Sequence, residues 1–205
     1  MPLPAAWWRW QYNRESKAWD RRSREPVVTF MRADVVSMFV RAVEGNGPML
    51  DVGCGPGAHA RDLPGFVVGT DIAPGMLQVA ASHGGAAFVQ ADLGRGLPFA
   101  DGAFAGALAL LVLQHISDPR AAVAELRRVL QRGAPLVLSV PATEGQLLAR
   151  RGLYWRLRAW GAQMPGLIHR FSEVDVRALV SGFELVELRH VGVTHVALLR
   201  DAEAL

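Results

Sequence analysis

The ten residues from Met49 to Ala58 constrain the fold of this chain more than any other stretch. They read Met-Leu-Asp-Val-Gly-Cys-Gly-Pro-Gly-Ala, so a short apolar run leads into three glycines at alternate positions. This pattern predicts a buried strand, a glycine-rich turn and then a helix. Glycine tolerates positive φ and has no Cβ, so a ligand can approach its backbone closely. The free N–H groups of the following helix would face the same space.

Short apolar segments alternate with helical patterns on both sides of this turn. Helical spacing is found over 27–43, from Ala73 to Gly84 and from Asp118 to Gly133, and further strands are predicted over 65–71, 87–92, 104–113 and 134–140. This alternation predicts right-handed crossovers and a parallel sheet. Ser172 begins another helix. Apolar and polar residues then alternate over 183–191 and 193–199, which predicts an antiparallel hairpin. We expect an α/β fold: a Rossmann-like, doubly wound, mostly parallel seven-stranded sheet with helices on both faces and this hairpin at the C-terminal end.

Composition limits the classes of protein to consider. The chain has 205 residues, of which 51% are hydrophobic and 20% charged, which suits one α/β domain. A formal net charge of +3 does not indicate a nucleic-acid partner. The single cysteine, Cys54, excludes an internal disulfide and fits a reducing compartment. The longest apolar run, 103–113, is too short to span a membrane, and the N-terminus does not resemble a secretion signal. We expect a cytoplasmic protein without a membrane partner.

Two segments flank the predicted core with aromatic and arginine residues. Residues 1–26 carry four tryptophans, Tyr12 and five arginines, which predicts either an arm packed on the domain or a cap over a ligand. Residues 27–205 would then form a single domain with a helical insertion at about 144–171. The insertion follows the carboxyl end of a strand. This position favours a lid that covers the substrate, and a helix that only packs on the domain is the alternative. The candidate substrate contacts are Tyr12 and, in the insertion, Tyr154, Trp155, Trp160 and Met164.

Acidic residues around the glycine turn narrow the choice of ligand. The carboxyl ends of parallel strands share one edge, where ligands bind. The glycine spacing is G-x-G-x-G, so the third glycine comes one residue too early for a dinucleotide site, and Asp51 would repel a pyrophosphate. Asp71, at the end of the second strand, could accept both hydroxyls of a ribose, and Asp92 could accept from an adenine amine. An adenosine with a cationic amino-acid tail, S-adenosylmethionine, satisfies all three acids.

The chain resembles a class I S-adenosylmethionine-dependent methyltransferase of the small-molecule type, related to the ubiquinone-biosynthesis enzymes. The motifs that carry the resemblance lie in order between residues 28 and 141: Asp51-Val-Gly-Cys-Gly-Pro-Gly, Asp71-Ile-Ala-Pro-Gly-Met-Leu, Gln90-Ala-Asp92-Leu, Leu97-Pro-Phe-Ala-Asp-Gly-Ala-Phe104 and Leu113-Gln-His-Ile-Ser-Asp-Pro. One departure is Ala105, which stands where the family usually has an acid. Trp19 and Asp20 would correspond to an aromatic–Asp pair that closes the cofactor site.

The resemblance implies methyl transfer from S-adenosylmethionine to a small-molecule O or N atom, with S-adenosylhomocysteine as the product and no metal. The implied cofactor contacts are Asp51, Gly53, Cys54, Gly55, Gly57, Asp71, Ile72, Met76, Ala91, Asp92, Leu93, Leu110, Gln114 and Trp19. His115, after the fourth strand, is the first candidate for a general base, since its ordinary pKa suits neutral pH; a cofactor-shaping role is the alternative. His169 is a weaker candidate. Cys54 is expected to be packed and not nucleophilic.

Other functions remain open at this point. The chain could bind S-adenosylmethionine without methylating, or use it to bend a substrate into a cyclisation. A nucleic-acid methyltransferase is disfavoured because the run after the fourth strand reads Leu-Gln-His-Ile and the only cysteine lies in the glycine turn. An NAD oxidoreductase is disfavoured by the glycine spacing and by Asp51. The sequence does not identify the methyl acceptor, the accepting atom or the oligomeric state.

Overall fold

The computed structural model describes residues 3–44, 47–143, 169–191 and 194–201. In this part of the chain seven strands form one sheet in the order β3-β2-β1-β4-β5-β7-β6. The first five strands are parallel, and β7 runs antiparallel to both β5 and β6. The predicted mostly parallel, seven-stranded sheet with an antiparallel hairpin is therefore confirmed. The strands are β1 (Met49–Val52), β2 (Val67–Asp71), β3 (Ala87–Gln90), β4 (Gly106–Leu110), β5 (Pro135–Pro141), β6 (Phe183–Val191) and β7 (Thr194–Asp201).

Six α-helices accompany the sheet in the described ranges, and all except the first lie where the sequence pattern predicts a helix. They are α1 (Ala5–Ser23), α2 (Pro26–Ala42), α3 (Ala58–Asp62), α4 (Pro74–His83), α5 (Pro119–Val129) and α6 (Glu173–Leu179). Asp118 caps α5, since its side chain accepts from the N–H of Ala121. Ser172 and Asp175 form a reciprocal capping box at the start of α6. No helix in the described ranges combines the length and apolarity that a membrane span requires.

Apolar side chains bury both faces of the sheet. On one face Ala107 and Ala109 of β4 belong to a core with Leu126 of α5. On the other face Leu108 of β4 packs in a core with Phe39 of α2. The alternation along β4 follows from the period of a strand, and coverage of both faces is what a mainly parallel sheet needs. Because β1 and β4 are neighbours in the sheet, the crossovers that follow them lead to opposite sides. This creates a topological switch point at the carboxyl ends of the two strands.

Two predicted strands are shorter in the structure than in the sequence pattern, and one helix was not predicted. The strand predicted over 104–113 is shortened to β4, which ends at Leu110 because Leu111 takes a positive φ of 53° and turns the chain out of the sheet. The strand predicted over 87–92 ends at Gln90, and Asp92 instead accepts from the N–H of Gly94 in a short 3₁₀ turn. Residues 1–26, predicted only as an arm or cap, include the 19-residue helix α1. The division of the chain into arm, domain and lid stays a prediction.

Candidate functional site

A cavity of about 960 Å³ opens at the carboxyl ends of the parallel strands. Its walls come from the glycine turn after β1, the ends of β2, β4 and β5, and one side of α1. A volume of this size is large enough for a cofactor together with a small substrate. Of the residues predicted from sequence, those that line it are Tyr12, Trp19, Gly53, Cys54, Gly55, Asp71, Ile72, Met76, Ala91, Asp92, Leu93, Leu110, Gln114 and His115.

The glycine turn has the backbone that its sequence predicts. Gly53, Gly55 and Gly57 have φ values of 67°, 52° and 76°, a region that other residues rarely adopt. A Cβ on Gly53 would lie 2.7 Å from Cγ2 of Val112, so the turn packs closely against the segment after β4. A Cβ on Gly55 would meet nothing within 4 Å. Two different reasons therefore favour glycine here: packing at position 53 and an open approach at position 55.

Asp71 links the glycine turn to the end of β2. Its Oδ2 accepts from the N–H of Gly55 at 3.0 Å, and its Oδ1 accepts from the N–H of Ala73 at 2.8 Å. Removal of this carboxyl from water raises its pKa to about 6, although these backbone hydrogen bonds act in the opposite direction. Each carboxylate oxygen can accept a further hydrogen bond, so Asp71 retains capacity toward a ligand.

Asp51 lies under the turn and not on the cavity wall. Its position in the central strand β1 leaves it 1% exposed, and its Oδ2 has no hydrogen-bond partner in the described residues. Burial, with a smaller contribution from the negative charge of Asp71, raises its pKa to about 7. Gly57, also predicted as a ligand contact, does not line the cavity either; it is the N-cap of α3, and a Cβ there would lie 2.9 Å from Cβ of Ala80.

Asp51 and Asp71 together fit a cationic ligand. Neither carboxyl forms an ion pair with any described side chain, and each is costly to ionise where it lies. A positive group bound beside the turn would lower that cost. The arrangement is therefore suited to the sulfonium and ammonium charges of S-adenosylmethionine.

His115 lies in an aromatic cluster at the cavity. Its Nε2 is 2.9 Å from the hydroxyl of Tyr12 and 3.2 Å from Nε2 of Gln114. The ring centroid of Trp8 is 4.0 Å from that of the imidazole, and Tyr12 stacks on Trp8 at 5.7 Å. Burial lowers the pKa of His115 to about 4, so this imidazole is neutral at pH 7.

Helix α1 is held over the cavity by polar contacts with α4. Asn13 accepts from the N–H of Gly75, and Asp20 pairs with His83 at 3.0 Å. Asp20 also binds Arg24 at 2.9 Å. The two members of the predicted aromatic–Asp pair therefore differ in position, since Trp19 lines the cavity and Asp20 does not. The carboxylate of Asp20 instead binds His83 and Arg24.

Other predicted residues have different environments. His169 does not line the cavity; its ring lies 6.1 Å from that of Phe171, and the neighbouring Arg170 lines the cavity instead. Cys54 is buried, which raises the pKa of its thiol well above the usual range and fits the packed role. The predicted lid contacts Tyr154, Trp155, Trp160 and Met164 lie outside the described residues.

Several cavity residues were not predicted. Trp8 and Arg32 reach the cavity from α1 and α2, and Ser139 reaches it from β5. Ser139 is the only hydroxyl within the otherwise apolar β5, and its Oγ accepts from the N–H of Leu111 at 3.2 Å. A polar residue at the end of an apolar strand was a usable signal for Ser139. Trp8 and Arg32 carry no comparable signal, because only the packing of their helices decides which side chains face the cavity.

Comparisons with known proteins agree with this geometry. A family model described as a methyltransferase domain matches residues 50–138. An O-methyltransferase of Penicillium expansum is 36% identical over 118 residues, which are 50% of this chain and 42% of that protein. An O-methyltransferase of Aspergillus nomiae is 28% identical over 187 residues, which are 84% of this chain and 76% of that protein. The chain spans 29% and 42% of the length of two of the curated relatives that it matches.

A solved structure extends the agreement to the whole fold. The putative methyltransferase of Haloferax volcanii, determined in complex with the methyltransferase activator Trm112, superposes with a TM-score of 0.76 at 16% identity. The superposition covers 94% of this chain and 98% of that one. At this identity the likeness shows the fold alone. The sheet order agrees with that fold, and the match over residues 50–138 shows that this stretch of the chain is similar to a methyltransferase domain.

Proposed function

We propose that this protein transfers a methyl group from S-adenosylmethionine to an oxygen or nitrogen atom of a small molecule. The observation that carries the proposal is the pair Asp51 and Asp71, two carboxyls without a cationic partner among the described residues, beside a glycine turn that opens onto the cavity. A dinucleotide would bring anionic phosphates to the same place. The curated relatives named as O-methyltransferases support the same reaction class.

Residues of the turn and of three strand ends would hold the cofactor. Asp71 would accept from the ribose, Asp92 from the adenine, and the backbone around Gly55 would bind the amino-acid end. Asp51 would act from below the turn through its charge. When bound, S-adenosylmethionine supplies a methyl group already activated by the sulfonium, so much of the catalysis by the protein is positioning and exclusion of water.

The acceptor would occupy the part of the cavity beside α1. Trp8, Tyr12 and Trp19 offer aromatic surfaces there, and Arg170 adds a positive charge. These features favour a planar acceptor that carries a hydroxyl or an acidic group. We expect a cytoplasmic enzyme, in line with its single cysteine.

Calorimetry with S-adenosylhomocysteine and with NAD tests the cofactor class directly. We expect binding of S-adenosylhomocysteine and none of NAD; binding of NAD alone would overturn the proposal. A mass-spectrometric assay with S-adenosylmethionine and a panel of hydroxyaromatic, amino and carboxylic compounds then tests methyl transfer. Binding of the cofactor without a methylated product from any panel member would favour the non-methylating alternative.

A further inference from the structure

The geometry points to Tyr12 as a catalytic residue: we propose that its hydroxyl takes the proton of an acceptor hydroxyl while passing its own proton to Nε2 of His115. This inference rests on the proposed function and adds the class of acceptor, an acidic hydroxyl such as that of a phenol or an enol. It is carried by the hydrogen-bond pattern around His115, which assigns the roles of donor and acceptor.

The amide of Gln114 fixes the tautomer of His115. Its Nε2 lies 2.6 Å from the carbonyl oxygen of Leu111, and only an N–H group can make that contact. The amide nitrogen therefore also faces His115, and its second N–H is the group 3.2 Å from Nε2 of the imidazole. Nε2 must accept that hydrogen bond, so the ring carries its own proton on Nδ1. The hydroxyl of Tyr12, 2.9 Å from the same Nε2, then donates to it.

This arrangement excludes direct proton abstraction by His115. Its Nε2 lone pair is engaged by Tyr12 and Gln114, and its Nδ1 already bears a proton. Trp8 packs on the ring at 4.0 Å between centroids. The oxygen of Tyr12, in contrast, keeps lone pairs that can accept from a molecule in the cavity, and Tyr12 is one of the residues that line it. An acceptor hydroxyl therefore reaches the base only through Tyr12.

The transfer balances as one event. The acceptor O–C bond forms as the S–C bond breaks, and the electron pair of the broken bond stays on sulfur. The acceptor proton moves to the oxygen of Tyr12, and the proton of Tyr12 moves to Nε2 of His115. The imidazolium then holds protons on both nitrogens, and its Nε2–H donates back to Tyr12 until the excess proton leaves to solvent.

Besides the hydrogen-bond geometry, the burial of both side chains favours acidic hydroxyls as acceptors. Burial raises the pKa of Tyr12, so it does not exist as a stable tyrosinate and gives up its proton only as it receives one. Burial also makes His115 a weak base, with a pKa of about 4. A weak base assists a phenol or an enol, whose proton is already acidic, far better than an aliphatic alcohol.

Nitrogen-15 NMR of the histidines tests the donor assignment without any acceptor. In the complex with S-adenosylhomocysteine, His115 should show a protonated Nδ1 and an unprotonated Nε2, identified by the loss of its signals in His115→Gln. In Tyr12→Phe the Nε2 resonance should shift toward the value of a free imidazole nitrogen. A protonated Nε2 in the wild-type protein would overturn the proposal, because it could not receive the proton of Tyr12.

Turnover of matched acceptors tests the catalytic role. With substituted phenols, Tyr12→Phe should lower kcat about 100-fold, a usual size for loss of general-base assistance, and leave the affinity for S-adenosylhomocysteine within about twofold. With 4-nitrothiophenol, which is ionised at pH 8, the same variant should keep its rate. Equal losses with both acceptors, or no loss with phenols, would reject the relay. Trp10→Phe, on the exposed side of α1, is the control.

These outcomes separate the two proposals. If wild-type protein binds S-adenosylhomocysteine and shows the expected tautomer, the assignment of donor and acceptor at His115 is supported, and the turnover of phenols then decides the relay. If it methylates amines but no phenol, the relay is rejected and the proposed methyl transfer survives. Failure to bind S-adenosylhomocysteine would reject the proposed function itself.

Discussion

Oδ1 of Asn13 in α1 accepts a hydrogen bond from the backbone N–H of Gly75 in the first turn of α4, at 2.5 Å. The N-cap of α4 is Ala73, whose side chain has no acceptor for the free N–H groups of that turn. Asn13 therefore acts as a cap from another helix, and it fixes α1 at the position where Tyr12 meets His115. The contact also requires the absence of a side chain at position 75, because a Cβ there would lie 2.5 Å from Oδ1 of Asn13.

Gly75→Ala should loosen α1 from α4. The methyl group would collide with the side chain of Asn13 and crowd its backbone oxygen at 3.1 Å, and this cost should exceed the gain in helix propensity of at most about 1 kcal/mol. We expect a lower free energy of unfolding and weaker binding of S-adenosylhomocysteine. Gly75→Ala combined with Asn13→Ala removes the nearest clash and should recover part of the stability. A single variant as stable as the wild type in urea titration would contradict this packing.

Gly53→Ala and Gly55→Ala should separate folding from binding. Both substitutions place a side chain at positive φ, which costs about 1–2 kcal/mol. Gly53→Ala adds a contact of 2.7 Å with Val112, so it should lose more stability. The new methyl group in Gly55→Ala meets no atom of the described residues within 4 Å and should instead obstruct the cofactor. We expect calorimetry to show the larger fall in melting temperature for Gly53→Ala. The affinity for S-adenosylhomocysteine should fall more in Gly55→Ala than its loss of stability explains. The reverse order would refute the assignment.

Asp71→Asn should weaken cofactor binding. The amide retains an oxygen for one backbone contact but loses the charge and one acceptor, and a hydrogen bond to a charged group contributes about 1.5–3 kcal/mol. The dissociation constant for S-adenosylhomocysteine should rise about 10- to 100-fold in titration calorimetry. Asp101→Asn is a suitable control, since Asp101 is largely exposed and pairs with Arg128. An unchanged constant in Asp71→Asn would remove Asp71 from the site.

Asp51→Asn should change how stability depends on pH. The folded-state pKa of Asp51 is raised from an ordinary 3.8 to about 7, so the folded protein binds the proton more tightly than the unfolded chain. Its ionisation therefore costs stability progressively as pH rises from about 4 to 7. Without ligand, the free energy of unfolding of the variant should rise relative to that of the wild type by about 3–4 kcal/mol as the pH is raised from 4 to 8.

Two histidines change the pH dependence of stability in the opposite direction to Asp51. His59 and His115 have pKa values lowered to about 4, so their contribution to stability is lost as pH falls from about 6.5 to 4. Both are present in the wild type and in Asp51→Asn, and their effects cancel in the difference between the two proteins. Urea titrations of both proteins at several pH values give that difference; if it does not vary with pH, Asp51 is not a buried, unpaired carboxyl.

Local patterns in the sequence predicted the fold and a set of cofactor contacts, most of which line one cavity. Glycine spacing, capping residues such as Asp118 and the acid at the end of β2 are short-range signals, because each depends on backbone geometry within a few residues. Strand order then placed Gly53, Asp71 and Asp92 at one edge. The burial of individual side chains could not be predicted from such patterns. Asp51 was predicted as a cofactor contact, and its place in the central strand puts it beneath the turn.

The sequence by itself determined the parallel sheet and the glycine turn, and its acidic residues predicted a cationic adenosyl ligand. Only the tertiary structure decided that residues 5–23 form a helix across the cavity, that Asn13 caps α4, and that Tyr12 meets His115 although 103 positions separate them. The physical reason is that a helix presents several faces, and which one is buried depends on the surface it meets. The cavity wall beside α1 is built from such contacts, so it is specified by packing and not by any local motif.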